Sequence, residues 1–224
     1  MKKSKTRLFI EKQISQNLLI YVKEKQHHFL KNVLRVKLDD VINVFDGVTG
    51  EWRSQVISIS KDKTALKIEK KIREFETQPD IWLIFAPIKI FRLNIIIQKA
   101  VELGVSKFIP CKTEFSNFDK LNYKNLELNA IEAAQQCERL DVPKIEKIIN
   151  LDTIIKQLPD DRAIVFCDES DTNLPSIYDE LRSNLNNYSK WSVIIGPEGG
   201  FSNEERELIK IQKNYAKDLE LEEH

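Results

Sequence analysis

The rhythm of apolar residues changes near position 80. Before it, apolar residues come in short clusters. Residues 7–10 and 18–22 read as short strands, and residues 26–36 carry Phe29, Leu30, Val33 and Leu34 at helical spacing. Residues 41–45 run straight into Asp46-Gly47, a strong turn signal. Residues 55–59 and 66–72 then alternate apolar with polar positions on either side of Lys61-Asp62-Lys63. Short strands around one helix predict a small β-barrel with a covering helix.

After residue 80 the apolar residues form continuous runs. Residues 81–86, 108–109, 163–167 and 191–195 have the composition of strands buried on both faces. Helical patterns at about 91–103, 123–140, 151–158 and 175–187 separate them, and a last strand is expected from residue 216 to 221. Strands of that kind alternating with helices imply a parallel α/β sheet covered on both sides. Residues 70–80, with Lys70-Lys71 and Pro79, read as the linker, which divides the chain into domains at 1–74 and 75–224.

Composition narrows the class. The 224 residues are 42% hydrophobic and 31% charged, which excludes the low-hydrophobicity signature of disorder. The longest purely apolar run, Ile81 to Ala86, is far short of the roughly 20 residues that span a bilayer. No apolar run follows Met1-Lys2-Lys3, so no secretory signal and no membrane partner are expected. Cys111, Cys137 and Cys167 form neither an even disulfide framework nor a metal-binding pair, and His28 has no second ligand at metal spacing. A reducing cytoplasm and no metal are the expectations, with His28 as a packing or hydrogen-bonding residue. Net charge is zero, yet residues 1–74 carry 17 Lys and Arg against 9 Asp and Glu, and the remainder reverses the excess. A basic module joined to an acidic one points to a polyanion, and nucleic acid first among them.

Three of only six glycines lie within Gly196-Pro197-Glu198-Gly199-Gly200, between a buried strand and the capping box that starts at Ser202. Glycine used so sparingly marks places where backbone turns sharply or approaches something closely. In parallel α/β sheets, ligands bind beyond the carboxyl ends of the strands, which is where this loop falls. Its spacing fits neither a dinucleotide fingerprint nor a P-loop, and Glu198 would repel phosphate. An uncharged or cationic ligand suits it better.

These motifs carry a resemblance. The run Ile194-Ile195-Gly196-Pro197-Glu198-Gly199-Gly200-Phe201-Ser202, followed by Glu204 and Glu205, resembles the signature loop of the RsmE family, SPOUT-superfamily methyltransferases acting on uracil N3 in 16S ribosomal RNA. Residues 97–105 match the family's second motif, with Lys89 and Arg92 in the basic positions upstream. Residues 133–139 with Val142-Pro143 resemble the third, and His28, Leu34-Arg35 and Phe45-Asp46-Gly47 fit its PUA-like RNA-binding barrel. The resemblance implies an N-terminal PUA-like β-barrel, a C-terminal SPOUT α/β-knot domain with a parallel sheet, S-adenosylmethionine as methyl donor and a homodimer. Gln135 and Glu138 stand where the family usually has Glu and Gly. The family also continues past the last strand into a segment that threads the knot and forms the other wall of the donor pocket; the sequence to His224 does not contain it, so the 75–224 domain is expected to be C-terminally incomplete.

The resemblance makes Gly196, Pro197, Glu198, Gly199, Gly200 and Cys167 the expected donor-binding residues. Among polar residues in matching motifs, Arg139 is the candidate catalytic group: a permanent cation beside O2 or O4 would stabilise a uracil anion. The competing reading is an arginine at a helix end paired with Asp141. Water or a carboxylate across the dimer could accept the N3 proton. Arg7, Lys31, Arg35, Lys37, Lys89 and Arg92 are expected phosphate contacts. Lys99 and Glu102, three apart on one helix, are expected to pair. Two alternatives stand beside the rRNA enzyme: a degenerate, non-catalytic RNA-binding or ribosome-assembly protein, and a related enzyme methylating ribose in transfer RNA.

Overall fold

Where side chains alternate strictly between apolar and polar, strands form. In the computed structural model, which describes residues 2–116, 120–168, 188–212 and 215–219, the chain divides into two units. The first is Met1–Thr77 together with Ile131–Val142, and the second is Gln78–Ala130 with Pro143–His224.

In the first unit, β1 (Arg7–Phe9), β2 (Leu19–Lys23), β3 (Val41–Phe45), β4 (Glu51–Ile59) and β5 (Lys63–Arg73) make one sheet in the order β1-β3-β4-β5-β2. The pair β1 and β3 is parallel and the other ladders are antiparallel. Among the described residues no ladder joins β1 to β2, so the expected barrel is a half-barrel. Leu8, Val22, Ile42, Val44, Val56, Leu66 and Ile68 point from alternate positions into one core, which Leu30 of the helical segment closes. That segment is α1 (Glu24–His28), continued by a wider π-helical stretch at Phe29–Val33. It ends earlier than the pattern predicts, because Arg35 takes a left-handed φ of 50°. His28 is exposed, whereas the buried histidine is its neighbour His27, held by the Thr64 hydroxyl and the Lys61 carbonyl.

The second unit has the expected parallel sheet. Its strands are β6 (Asp80–Phe85), β7 (Lys107–Lys112), β8 (Lys144–Ile145), β9 (Ile149–Asn150), β10 (Ala163–Cys167), β11 (Lys190–Ile195) and β12 (Tyr215–Leu219). The order is β12-β10-β11-β6-β7-β8, with β9 also on β7, and the recorded pairings are parallel. Helices α2 (Ile90–Glu102), α3 (Tyr123–Gln136), α4 (Leu151–Gln157) and α5 (Asn203–Lys210) alternate with the strands. The helix expected at 175–187 lies outside the described residues. Ile84, Ile109, Ile164, Phe166 and Ile194 form a core with Ile154, Ile155, Phe201 and Ile209 from the elements laid over the sheet.

Two sequence expectations shift. Lys70 and Lys71 belong to β5, so the irregular stretch between the units begins only after Arg73. The segment 131–142 packs with the first unit although it follows β7 of the second, because Arg7 donates to the carbonyls of Ala134, Gln135 and Arg139. Among the described residues no helix is long and apolar enough to cross a membrane.

Candidate functional site

Parallel pairing aligns the strand ends. Cys167 stands opposite Ile195, and Ile195 opposite Phe85, so the segments after β10, β11 and β6 leave the sheet at one edge. The loop after β11 is the Gly196–Gly200 run. Phe201 folds back from its far end into the core, where its ring meets that of Phe166 with centroids 4.9 Å apart. A Cβ on Gly196 would come within 2.5 Å of the Phe201 ring. A Cβ on Gly199 would lie 3.2 Å from Cβ of Phe115, and Gly200 adopts a φ of +71°. The close approach inferred from the glycines is therefore real, and much of it is to the protein's own rings.

Three attachments hold this loop. Gly200 N–H donates to the Pro197 carbonyl at 2.9 Å, closing the turn. Ser202 caps α5, and Glu205 answers through the Ser202 amide, also at 2.9 Å, completing the expected capping box. The other oxygen of Glu205 accepts from the Glu114 amide at 2.9 Å, which ties the loop after β7 to the same helix end. Behind them Arg206 of α5 donates to Asp168, the residue after Cys167, at 2.7 Å, and the Asp168 side chain is only 3% exposed. A charge-assisted bond at that depth fixes the first turn of α5 against the end of β10.

The lips of the resulting shallow cleft are Pro87, Ile88, Lys89, Phe115, Pro197, Glu198 and Gly199. Lys89 is thus at the cleft, while Arg92 on α2 forms an exposed ion pair with Glu198. Two expected site residues of opposite assignment, one for RNA and one for the donor, meet here. Burial pushes the Cys167 thiol up to about 11, so it is protonated at neutral pH. Cys111 is deeper, and burial with the Glu205 charge beside it pushes its thiol up to about 12. Lys99 pairs with Glu102 as expected.

The remaining expected residues belong to the first unit. Arg139 presents its Nε and one terminal nitrogen to the two oxygens of Asp141, both at 3.0 Å, with its side chain 5% exposed. Arg7 bonds Glu51 at 2.7 Å as well as the three carbonyls named above, and its guanidinium lies 4.7 Å from the centre of the Phe45 ring. A side chain so engaged ties the 131–142 segment to the sheet; it is not disposed like a phosphate-seeking surface cation. Lys31 donates to the Ser60 carbonyl, and Arg35 and Lys37 are exposed. Sequence reading missed Phe115, Asp168, Glu205 as a cross-loop tie, and Arg206. An acid placed directly after a buried strand, as Asp168 follows Cys167, was the available signal.

The half-barrel ahead of a parallel α/β sheet, with a glycine loop at the carboxyl ends of the strands, matches the models of an RNA methyltransferase and its PUA domain. Residues 76–223 match the RNA methyltransferase domain model and residues 22–69 the RNA methyltransferase PUA domain model. Ribosomal RNA small subunit methyltransferase E of Rickettsia conorii is 33% identical over 93% of this chain and 84% of its own length. The Bacillus subtilis protein of the same name is 29% identical over 92% and 85%. The chain belongs to the ribosomal RNA small subunit methyltransferase E family. The Neisseria gonorrhoeae member, solved bound to S-adenosylmethionine, has the same fold, with a TM-score of 0.85 at 20% identity over 98% of this chain and 90% of that one.

Proposed function

We propose that this chain methylates N3 of a uracil in 16S ribosomal RNA, with S-adenosylmethionine as donor. The observation that carries methylation of small-subunit ribosomal RNA is the match to the Rickettsia conorii enzyme along 93% of the chain, and N3 of uracil rests on the resemblance of the loop at residues 194–205. The donor reading also suits the chemistry of the cleft. Its loop holds no Lys or Arg, contains one carboxylate, and is stiffened from behind by Phe201, Glu205 and the Asp168–Arg206 pair. Backbone of that kind reads an adenine through its amides and carbonyls, and the loop itself adds no cation to the Lys89 and Arg92 already at the cleft. When bound, S-adenosylmethionine supplies an electrophilic methyl group on a sulfonium.

The chain's own residues do the rest. Gly196, Pro197, Glu198, Gly199 and Gly200 hold the donor, and Cys167 borders it as a neutral thiol. Neutrality matters because a thiolate, the nucleophilic form of cysteine, would compete for the methyl group. Arg139, whose Nε and one terminal nitrogen are held by Asp141 as the competing reading expects, has to turn from that pair toward substrate to stabilise the negative charge that grows on the uracil oxygens as N3 loses its proton. Lys89 steers the RNA backbone at the lip, and Lys31, Arg35 and Lys37 add phosphate contacts from the first unit. The working form is a cytoplasmic homodimer; Phe91 and Ile95, exposed one turn apart on α2, offer an apolar strip for a second copy.

Calorimetric titration of S-adenosylmethionine into the wild type and into Arg139→Ala, with turnover measured in parallel, tests the assignment. Donor affinity is expected to be unchanged, with kcat lower by roughly a hundredfold or more, the usual effect of removing a donor aimed at developing charge. Retained turnover would remove Arg139 from the mechanism.

A further inference from the structure

The outer face of the first-unit sheet has two unlike halves. On the β1 and β3 side it is covered: Arg7 and the Phe9 amide bond the 131–142 segment, and Val41, Phe45 and Glu51 are buried. On the β2 side it is open. Strand β2 is the terminal strand of the sheet among the described residues. Its alternation sends Val22 into the core and Leu19, Tyr21 and Lys23 outward, with Tyr21 50% and Leu19 41% exposed. The register sets Leu19 opposite Lys67, Tyr21 opposite Ala65 and Lys23 opposite Lys63. The ammonium of Lys63 also lies 4.8 Å from the centre of the Tyr21 ring.

One feature of this arrangement opposes stability, and a second leaves ring surface open beside the favourable Lys63 contact. Lys23 and Lys63 are like charges directly across an antiparallel ladder, which is unfavourable. The Tyr21 ring is left half in water. Glu69 is paired with Arg53 at 3.0 Å, and Asp62 at the turn, which accepts from the Ser60 hydroxyl, attracts both Lys63 and Lys23, so of these two a single exposed acid stands against the three lysines. A partner carrying negative charge along a strand and flat rings beside it resolves both features together. Single-stranded RNA is such a partner, since bases stack on aromatic side chains while lysines follow the backbone.

We propose that Tyr21, with Lys23, Lys63 and Lys67 around it, is a base-stacking platform that receives an unpaired segment of the substrate RNA. The proposal rests on reading the chain as an RNA methyltransferase and adds a contact site that none of the residues expected from the motifs covers. Tyr21 stacks on a base without reading its identity, and the lysines bind the flanking phosphates.

The test is fluorescence anisotropy of a labelled oligouridylate with the whole chain, at several salt concentrations. Tyr21→Ala is expected to weaken binding by about tenfold or more, and Tyr21→Phe, which keeps the ring, to stay near wild type. Lys63→Ala is expected to lower the salt slope by about 0.7, the value for one phosphate contact on a single strand. Lys67→Glu, a fully exposed change, gives an independent reading through the loss of RNA affinity. Equal RNA affinity in wild type, Tyr21→Ala and Lys67→Glu would overturn the platform while leaving the methyltransferase reading intact. A wild-type chain that neither binds the oligonucleotide nor methylates ribosomal RNA would overturn both.

Discussion

Asp46 shows how much one residue of a turn motif can hold. Its carboxylate accepts from the amides of Ile14, Val48 and Thr49 and from the Thr49 hydroxyl. Burial pushes its pKa up, but these hydrogen bonds outweigh burial and hold it below the ordinary aspartate value. The stabilisation is therefore present above the unfolded-state pKa and lost as pH falls through the lower folded one. Asp46→Ala should cost about 2 kcal/mol in urea unfolding, and the deficit should shrink in acid. A cost that is unchanged at low pH would contradict this. The cysteines have the opposite sign. Their raised pKa values give stability that is full below the ordinary thiol value and lost as pH rises through about 11 for Cys167 and about 12 for Cys111. Iodoacetamide should accordingly leave Cys167 unmodified at pH 8 in the folded protein, and rapid alkylation there would refute the buried neutral thiol. Asp46-Gly47 was readable as a turn in the sequence. The fate of Arg7 was not, because its partners lie more than 120 residues away and only folding brings them together.

At the scale of elements, the glycine loop is a short rigid span between β11 and α5. Its shape is set by the Gly200–Pro197 turn bond together with the contacts of Gly196 and Gly199 on Phe201 and Phe115, so substitutions at those two glycines should act through the contacts. Gly196→Ala would drive a methyl group into the Phe201 ring, and the loop can relieve it only by lifting off the core. Donor affinity should fall at least tenfold with the RNA affinity of the first unit unchanged, and pairing the change with Phe201→Leu should restore part of the loss. Calorimetry reads both. Ser202→Ala should cost about 1 kcal/mol, the usual value of an N-cap, since Glu205 then loses its reciprocal partner. Wild-type stability in that variant would mean the cap adds nothing. Strand β10 was legible because its run is continuously apolar, β11 because only Ser192 interrupts the run from Trp191 although Ile195 is exposed, and α5 because its capping box is written in four residues. The two-residue strands β8 and β9 were not, since neither has a pattern of its own and both form only by pairing with β7. The end of the helical segment near Val33 was misjudged for a related reason: apolar spacing persists to Val36 while the backbone turns at Arg35.

The whole molecule explains the neutral net charge as two opposed halves. The excess of cations in residues 1–74 resides on the half-barrel; of the compensating acids, Glu76, Glu132, Glu138 and Asp141 belong to the same unit and the rest to the sheet unit. Binding of ribosomal RNA should therefore weaken steeply with salt, while donor binding to the cation-free glycine loop should hardly respond. Charge and rhythm read a boundary after residue 74, whereas the opening stretch of the first unit runs to Thr77. The return of residues 131–142 to the first unit was not legible, because domain reading from composition assumes that each domain is one continuous stretch. The central claim is that this fold places a methyl group on uracil N3 of the small-subunit RNA. Its most direct test is nucleoside mass spectrometry of 16S RNA from small ribosomal subunits lacking the modification, after incubation with the chain and S-adenosylmethionine. The account predicts 3-methyluridine, abolished by Arg139→Ala; 3-methyluridine absent, or methyl found on ribose oxygen instead, would contradict it.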